Sequence, residues 1–484
     1  MGEGRRRRPG PRLGTGVSTP RVVVVGGGLA GLAAAVECAD RGAAVTVVER
    51  RPRLGGLTWS FRHEGRWIDN GQHVFLRCCQ AYLGFLARIG SAGDVEVQER
   101  LDVTVLRPSP HEGPPTTARL RRDSLPAPLH LGRSLLGYRH LGVADRLRLG
   151  RAALALRRAE LADPALDTQT FAGYLRGHGQ SERSIEAMWD LITVPTVNLP
   201  AGQASATMGA KVFQTGLLTD PAAADIGWSR VPLGVLHGER AARALAAAGA
   251  EIALEERVVA IEEEKGPARR LRVRSEGRSI DADAVVVAVP HHAVNEILPA
   301  RTFSAQGSVD RLGVSPIVNI HLVYDRRVTD LTMAAAIDSP VQWLFDRSAS
   351  SGLASPGQYL AVSLSAAGVQ VGRRPAQIVE EITAAVGALV PGARRAEVVD
   401  ALVTKEGQAT FRAAPGTQAL RPGPVTTRPG VVLAGAWTDT GWPATMEGAV
   451  RSGTAAARAA LGRVAIARLP EPVLGQTRLP EEVA

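Results

Sequence analysis

Cysteine is nearly missing from this sequence. Three residues, Cys38, Cys78 and Cys79, make no framework of paired bridges and show no C-x-x-C spacing. Two adjacent cysteines do not readily share one tetrahedral metal, so the trio reads as small apolar side chains in a reducing cytoplasm and no metal site is expected. Aromatic residues are scarce as well, at 4%. With no binding motif beside the positive charge, nucleic acid is set aside as a partner. No apolar run approaches the roughly 18 residues of a membrane-crossing helix. G-x-S-x-G, H-E-x-x-H and the P-loop are all absent, which removes the common hydrolase and kinase chemistries.

What is present is a long chain, 484 residues at 45% hydrophobic, with material for about three domains or for a large interwoven pair. The net charge is +10, and the base is almost entirely arginine. About +4 of that excess lies in the first 20 residues, where Arg5 to Arg8 and Arg12 face a single acid, Glu3. No apolar signal core follows the arginine run, so 1–20 reads as a disordered, solvated extension, with weak attraction to anionic lipid as the alternative.

The stretch RVVVVGGGLAGLAAAVECADRGAAVTVVERR carries the most information. A β-branched run suits a strand buried on both faces. Gly26, Gly28 and Gly31 then spell G-x-G-x-x-G, an alanine-rich helix runs to about Asp40, and a second strand ends at Glu49. Gly26 permits the tight turn, Gly28 lets backbone N–H groups approach a pyrophosphate, and Gly31 lets helix pack closely on strand. The helix start, at Leu29 and Ala30, favours phosphate charge. Glu49 is placed to accept hydrogen bonds from ribose hydroxyls. Strand, glycines, helix, strand and acid in this order predict a dinucleotide-binding domain.

The next residues, RRPRLGG from Arg50 to Gly56, set a glycine pair and basic side chains just after the ribose acid. Two strand-like runs follow around the turn RHEGR. This continuation resembles the flavoprotein superfamily of amine oxidases and carotenoid-type desaturases, which implies FAD rather than NAD. The resemblance implies that Arg50, Arg53, Gly55 and Gly56 lie along the pyrophosphate and flavin edge. It also brings the backbone of Val258 to the adenine, although Val258 reads equally well as a plain sheet residue.

The implied fold is α/β with α+β elements: a Rossmann-like FAD-binding domain with an interwoven substrate domain. FAD-binding parts are expected at 21–84, 229–298 and 403–463, substrate-domain parts at 85–228 and 299–402, and a C-terminal tail at 464–484. The stretch 129–161 mixes leucines with arginines. It reads either as helices with solvated basic faces or as an interfacial patch resting on a membrane. The stretch 189–213 is a candidate pocket wall.

Near the end, VVLAGAW is a buried strand, TDTGW a polar turn, and a helix runs from about Pro443 or Thr445 to Leu461, with Thr445 as a candidate cap. Its start would favour negative charge on a reduced flavin. One face, with Ala449, Gly453, Ala456, Ala457 and Ala460, is almost free of bulk, as packing on a sheet or a ring requires. G-Q-H-V-F-L-R-C-C and A-G-x-W-T-x-T-G-x-P-A-T-M-E-G-A-V-x-S-G together resemble the hydroxysqualene dehydroxylases, FAD enzymes of hopanoid biosynthesis, from about Arg21 to Leu461.

That resemblance implies reduction of hydroxysqualene to squalene and water. It implies Gly71, Gln72, Gly435, Ala436, Trp437, Met446 and Glu447 as FAD neighbours. His73 and then Glu447 are the candidate proton donors; otherwise each serves as a hydrogen-bonding or helix-terminal residue. The expected location is cytoplasmic, with peripheral contact at the inner face of the membrane and association with squalene- or phytoene-synthase-like enzymes left open as partners. One position departs from the family pattern. Ala436 stands where an aspartate would hold the cofactor, a hydrogen bond of about 1–3 kcal/mol. A desaturase, an amine oxidase and a non-catalytic scaffold are the rival readings.

Overall fold

The computed structural model describes residues 19–111, 113–263, 271–299, 301–303, 306–353 and 356–463. The expected basic tail, apart from Thr19 and Pro20, and the expected C-terminal tail lie outside these residues.

A five-stranded parallel sheet lies at the centre of the nucleotide-binding half. Its strands run in the order Glu251–Ala253, Ala44–Val48, Arg21–Val25, Ala284–Val287, Val431–Leu433. Val22 to Val24 and Ala284 to Val287 are almost wholly buried, as a sheet covered on both faces demands. The helix Leu29–Asp40 covers one face. Against it packs the last helix, Met446–Arg463. The bulk-free face expected for that helix therefore meets another helix as well as sheet strands. A Cβ on Gly453 would run into the Ala30 carbonyl, so the close approach requires glycine there.

The second half is a seven-stranded mixed sheet, ordered Val398–Phe411, Val314–Tyr324, Gln358–Leu364, Trp343–Asp346, Met333–Ala336, Asp102–Arg107, Thr116–Arg121. The helix Pro375–Leu389 closes one face with Ile378, Ile382 and Val386, a stripe at i, i+4 and i+8. Short helices drawn from 129–218 pack around the other parts, including Val143–Arg158, Asp190–Val197 and Ala206–Phe213. The expected strand pair around RHEGR is a hairpin, Ser60–His63 with Arg66–Asp69. Its turn residues Glu64 and Gly65 both have positive φ, as a mirror-image two-residue turn needs.

Three boundaries drawn from the sequence fall inside continuous elements. Position 84/85 lies in the helix Gln80–Arg88, 228/229 in the strand Ile226–Ser229, and 402/403 in the strand Val398–Phe411. The last pairs with Val314–Tyr324 along nearly its whole length, so the seven-stranded sheet continues to Phe411. At these three places the chain runs on in regular structure and not through a polar linker. Cys38 and Cys79 are buried and Cys78 is half-buried, all three as free thiols. No helix among the described residues is long and apolar enough to cross a membrane.

Candidate active site

The carboxyl ends of the parallel strands lie along one edge of the sheet, the place where open α/β sheets bind ligands. Gly26 follows the central strand with φ +106°, and a Cβ there would sit 2.5 Å from the Ala288 carbonyl oxygen. Gly28 forms an isolated parallel bridge with Gly55, whose N–H donates to the Gly27 carbonyl at 2.8 Å. Gly56 has φ +59°, and a Cβ on it would lie 2.8 Å from the Gly28 Cα. The two glycine motifs, separate in the sequence, therefore touch. At Gly28 itself a Cβ would meet only the Gly56 Cα, at 3.8 Å. It would project into open space at the N-terminus of the helix that starts at Leu29 and Ala30. That is a cradle for a pyrophosphate.

Glu49 ends the neighbouring strand and is buried. Its carboxylate accepts from the N–H of Gly27 at 2.7 Å and of Arg51 at 2.8 Å, which fixes it at the mouth of the cradle. The Glu256 N–H donates to the Glu49 carbonyl at 3.0 Å, so the segment leading into buried Val258 runs beside Glu49. Arg50 is exposed. Arg53 stacks over Trp59, 3.8 Å from the ring centroid. Burial, together with neighbouring Arg51, lowers its pKa. A diphosphate is the counterion such a guanidinium lacks.

The loop Gly71–His73 hangs from the seven-stranded sheet. Asn319 donates through Nδ2 to the Asn70 carbonyl at 3.2 Å and accepts from the Gln72 N–H at 3.4 Å. Thr404, its register partner on the adjacent strand, donates to the same carbonyl at 2.9 Å. Gln72 Nε2 is buried with no partner within the protein, an orphan donor that a flavin carbonyl would satisfy. His73 donates from Nδ1 to the Gly71 carbonyl at 3.2 Å. Burial lowers its pKa, as does Arg347, while the Gly71 bond and Asp69 oppose the shift.

The closing segment has tasks that the sequence did not show. Thr445 caps the last helix as expected, accepting from the Gly448 N–H at 3.2 Å. Trp437 is buried, and its indole N–H donates to the Val289 carbonyl at 3.0 Å. Gly435, at φ +150°, passes so close that a Cβ would enter this ring. Met446 is half-buried at the helix start. Trp442 lies 5.2 Å from Lys211 Nζ and 5.0 Å from the Arg451 guanidinium. The first of these contacts brings the helix Ala206–Phe213, part of the candidate pocket wall, against this turn.

Glu447 is fully buried. It accepts from the N–H groups of Ala81 at 3.2 Å and Tyr82 at 2.7 Å, and from Arg451 Nε at 2.6 Å. Those N–H groups start the helix Gln80–Arg88, so Glu447 serves as the N-terminal anion of a neighbouring helix. Its oxygens are committed to structure, which sets aside the expected role as proton donor. Ala436 is half-buried. Asp439 does not replace the missing carboxylate. It is exposed, and its Oδ1 accepts from Gln418 Nε2 at 2.7 Å and from the Gly441 N–H at 3.3 Å.

Sequence reasoning missed Arg421 entirely. This buried guanidinium donates to the carbonyls of Thr438 at 2.6 Å, Trp442 at 2.8 Å and Trp437 at 3.3 Å. Burial pushes its pKa down to about 10. It also missed Asp69, which accepts from Ser60 Oγ at 2.6 Å, from the Leu233 N–H at 3.0 Å and from buried Arg347 at 3.0 Å. Arg421 lies in an irregular segment between Leu420 and Pro422, and Asp69 ends the strand Arg66–Asp69, so neither stands out by spacing.

The glycine cradle, with buried Glu49 at its mouth, fits a dinucleotide, and the class of protein this fold belongs to is the flavin-dependent oxidoreductases. The chain belongs to the flavin containing amine oxidoreductase family, whose model matches residues 29–461. Its cofactor is FAD. Over 442 residues it is 29% identical to a hydroxysqualene dehydroxylase of Rhodopseudomonas palustris, covering 90% of this chain and 97% of that protein. A zeta-carotene desaturase of Zea mays is 26% identical over 485 residues, 92% of this chain and 82% of that one. Among solved structures, a putrescine oxidase triple mutant superposes with TM-score 0.70 at 18% identity, covering 92% of this chain and 99% of its own. A cyclohexylamine oxidase from Brevibacterium oxydans gives 0.66 at 20%, covering 92% and 99%. These two likenesses carry the fold.

Proposed function

We propose that this FAD enzyme removes the hydroxyl of hydroxysqualene, consuming reduced cofactor and releasing squalene and water. The observation that carries the reading is His73. It is an imidazole anchored through one nitrogen to its own loop, in a setting that burial makes hostile to the charged form. The resemblance of G-Q-H-V-F and of the closing segment to the dehydroxylases supports it, as does the near full-length match to the Rhodopseudomonas protein.

Bound reduced FAD supplies the hydride. The chain's own part is to hold the cofactor, to exclude water and to move one proton. The hydroxyl sits on an allylic carbon, so C–O cleavage develops a delocalised cation, and hydroxide leaves as water once protonated. His73 delivers that proton from Nε2, with Nδ1 held by the Gly71 carbonyl. An imidazolium destabilised by burial is a strong acid, well matched to a poor leaving group. Gln72 Nε2 and the backbone around Gly28 orient the cofactor.

The zeta-carotene desaturase relatives, matched over a similar length, favour desaturation of a polyene as a second reading. Anaerobic incubation of reduced holoenzyme with hydroxysqualene separates the two. Squalene and reoxidised flavin are expected. Flavin-replete protein that yields no squalene, but desaturates a carotene with an added oxidant, overturns the first reading.

A further inference from the structure

A second candidate site lies outside the cofactor crevice. The antiparallel strands Asp102–Arg107 and Thr116–Arg121 form one edge of the seven-stranded sheet, and the short helix Gly132–Leu136 crosses them. Ser134 fastens it there: its hydroxyl accepts from the Arg121 N–H at 2.8 Å and donates to the Arg119 carbonyl at 2.6 Å. Between these pieces is a cavity of about 610 Å³ walled by Arg100, Arg119, Arg121, Arg122, Arg133 and Arg139, with Asp123 as the one acid among its lining residues.

Three of these six cations lie within ion-pair distance of a carboxylate. Arg119 pairs with Asp102, Arg122 pairs with buried Asp225, and Arg121 lies 3.5 Å from Asp102. Arg100, Arg133 and Arg139 are exposed and have no ion-pair partner among the described residues. A cavity with three uncompensated guanidiniums lacks a multivalent anion, and phosphate oxygens match their planar forks.

The surroundings say where that phosphate comes from. Leu125, Leu129 and Leu136 are 45%, 60% and 60% exposed, and Leu136 ends the helix that carries Arg133 and Ser134. The next helix, Val143–Arg158, buries Leu149, Ala152 and Leu156 and turns Val143, Leu147 and Leu154 outward at 65%, 66% and 45%. Arg151 and Arg158 share that outward stripe, being exposed at helical spacing from Leu147 and Leu154. From 125 to 158 there are seven arginines and one acid, Asp145. Exposed leucines alternating with arginines suit a lipid interface and not a free solute.

We propose that this face docks on an anionic phospholipid bilayer, with the cavity taking a lipid phosphate headgroup and the leucines entering the acyl boundary. The proposal is independent of the hydroxysqualene reading, because it concerns a different surface and is tested without turnover.

The test is flotation of the full-length holoenzyme with phosphatidylcholine vesicles and with vesicles containing 30 mol% phosphatidylglycerol. Preferential binding to the anionic vesicles is expected. Arg100→Gln/Arg133→Gln/Arg139→Gln should lower partitioning on the order of a hundredfold, with flavin content and melting temperature unchanged. Leu129→Ser/Leu136→Ser should remove the part of the binding that survives 0.5 M salt. Equal binding to both vesicle types, or unchanged partitioning of either variant, overturns the proposal. So does a wild-type protein that ignores vesicles but binds inorganic diphosphate in calorimetry, or binds duplex DNA through the same arginines.

Discussion

Gly56→Ala isolates what the contact between the two glycine motifs does for the cofactor. Two penalties coincide at this residue. Its φ of +59° strains any L side chain, by about 1–2 kcal/mol. Its new methyl would also stand 2.8 Å from the Gly28 Cα, about 0.6 Å inside ordinary contact. Backbone cannot rotate out of the way as a side-chain tip can, so Gly28 must move and take its neighbouring N–H groups off the pyrophosphate. Losing one charge-assisted hydrogen bond weakens binding by about 1.5–3 kcal/mol, a roughly 10- to 100-fold rise in the FAD dissociation constant. Gly42→Ala is the control, for there φ is +81° but nothing lies within 4 Å. It should lower the melting temperature by a similar strain and leave the cofactor alone. Flavin-to-protein absorbance ratios after dialysis, and titration of apoprotein with FAD by fluorescence quenching, read the difference. The reasoning fails if Gly56→Ala keeps FAD within twofold of wild type, or if Gly42→Ala loses as much.

Glu447→Ala strips the N-terminal anion from the helix Gln80–Arg88 and should lower stability by about 2–3 kcal/mol in a denaturant titration; a fall in kcat with an unchanged midpoint would instead restore it as a proton donor. Asp69→Asn leaves Arg347 buried without its counterion, at about 3–5 kcal/mol by the same measurement, and pairing it with Arg347→Met should recover part of the loss. Because burial lowers the His73 pKa, dehydroxylation should speed up as pH falls below the ordinary 6.5, and His73→Gln should lose that limb; a flat wild-type profile from pH 5 to 8 refutes the acid role. His237 and His321 are pushed to about 3 by burial. The unfolded chain therefore takes up their protons first as pH drops. Their stabilisation is complete above about 6.5 and declines toward 3 by about 1.4 kcal/mol per pH unit each. Midpoints measured from pH 7 to 4.5 should slope accordingly, less steeply in His321→Gln.

The cradle was legible in the sequence because its glycines fall at fixed short spacings between a strand and a helix, although Gly26 and Gly28 also meet residues far along the chain. A tight turn and a close backbone approach demand glycine whatever the rest of the chain does. Glu49 follows because a strand of fixed length delivers it. The closing segment was legible only as a pattern. Glu447 is one helical residue along from Met446, yet its partners Ala81 and Tyr82 lie more than 360 positions away. Asn319 and Thr404 support the Gly71–His73 loop across comparable gaps. Spacing rules reach one or two turns or a pleat, so long-range polar pairs leave only a faint mark, a polar letter in an apolar run. The expected domain boundaries were blurred for a related reason: three of them fall inside a single helix or strand, where no break in regular structure marks the place.

Arg421 has a consequence for how the enzyme is assembled. By drawing the carbonyls of Trp437, Thr438 and Trp442 to one internal cation, it shapes the closing turn from within. The turn needs no ligand to set its form, and an incoming cofactor is spared the entropic cost of ordering it. A chain with alanine at 436 can therefore accept weaker anchoring and still present a ready-made seat. FAD should leave and return reversibly, and stripped protein should regain its colour on mixing without a refolding step.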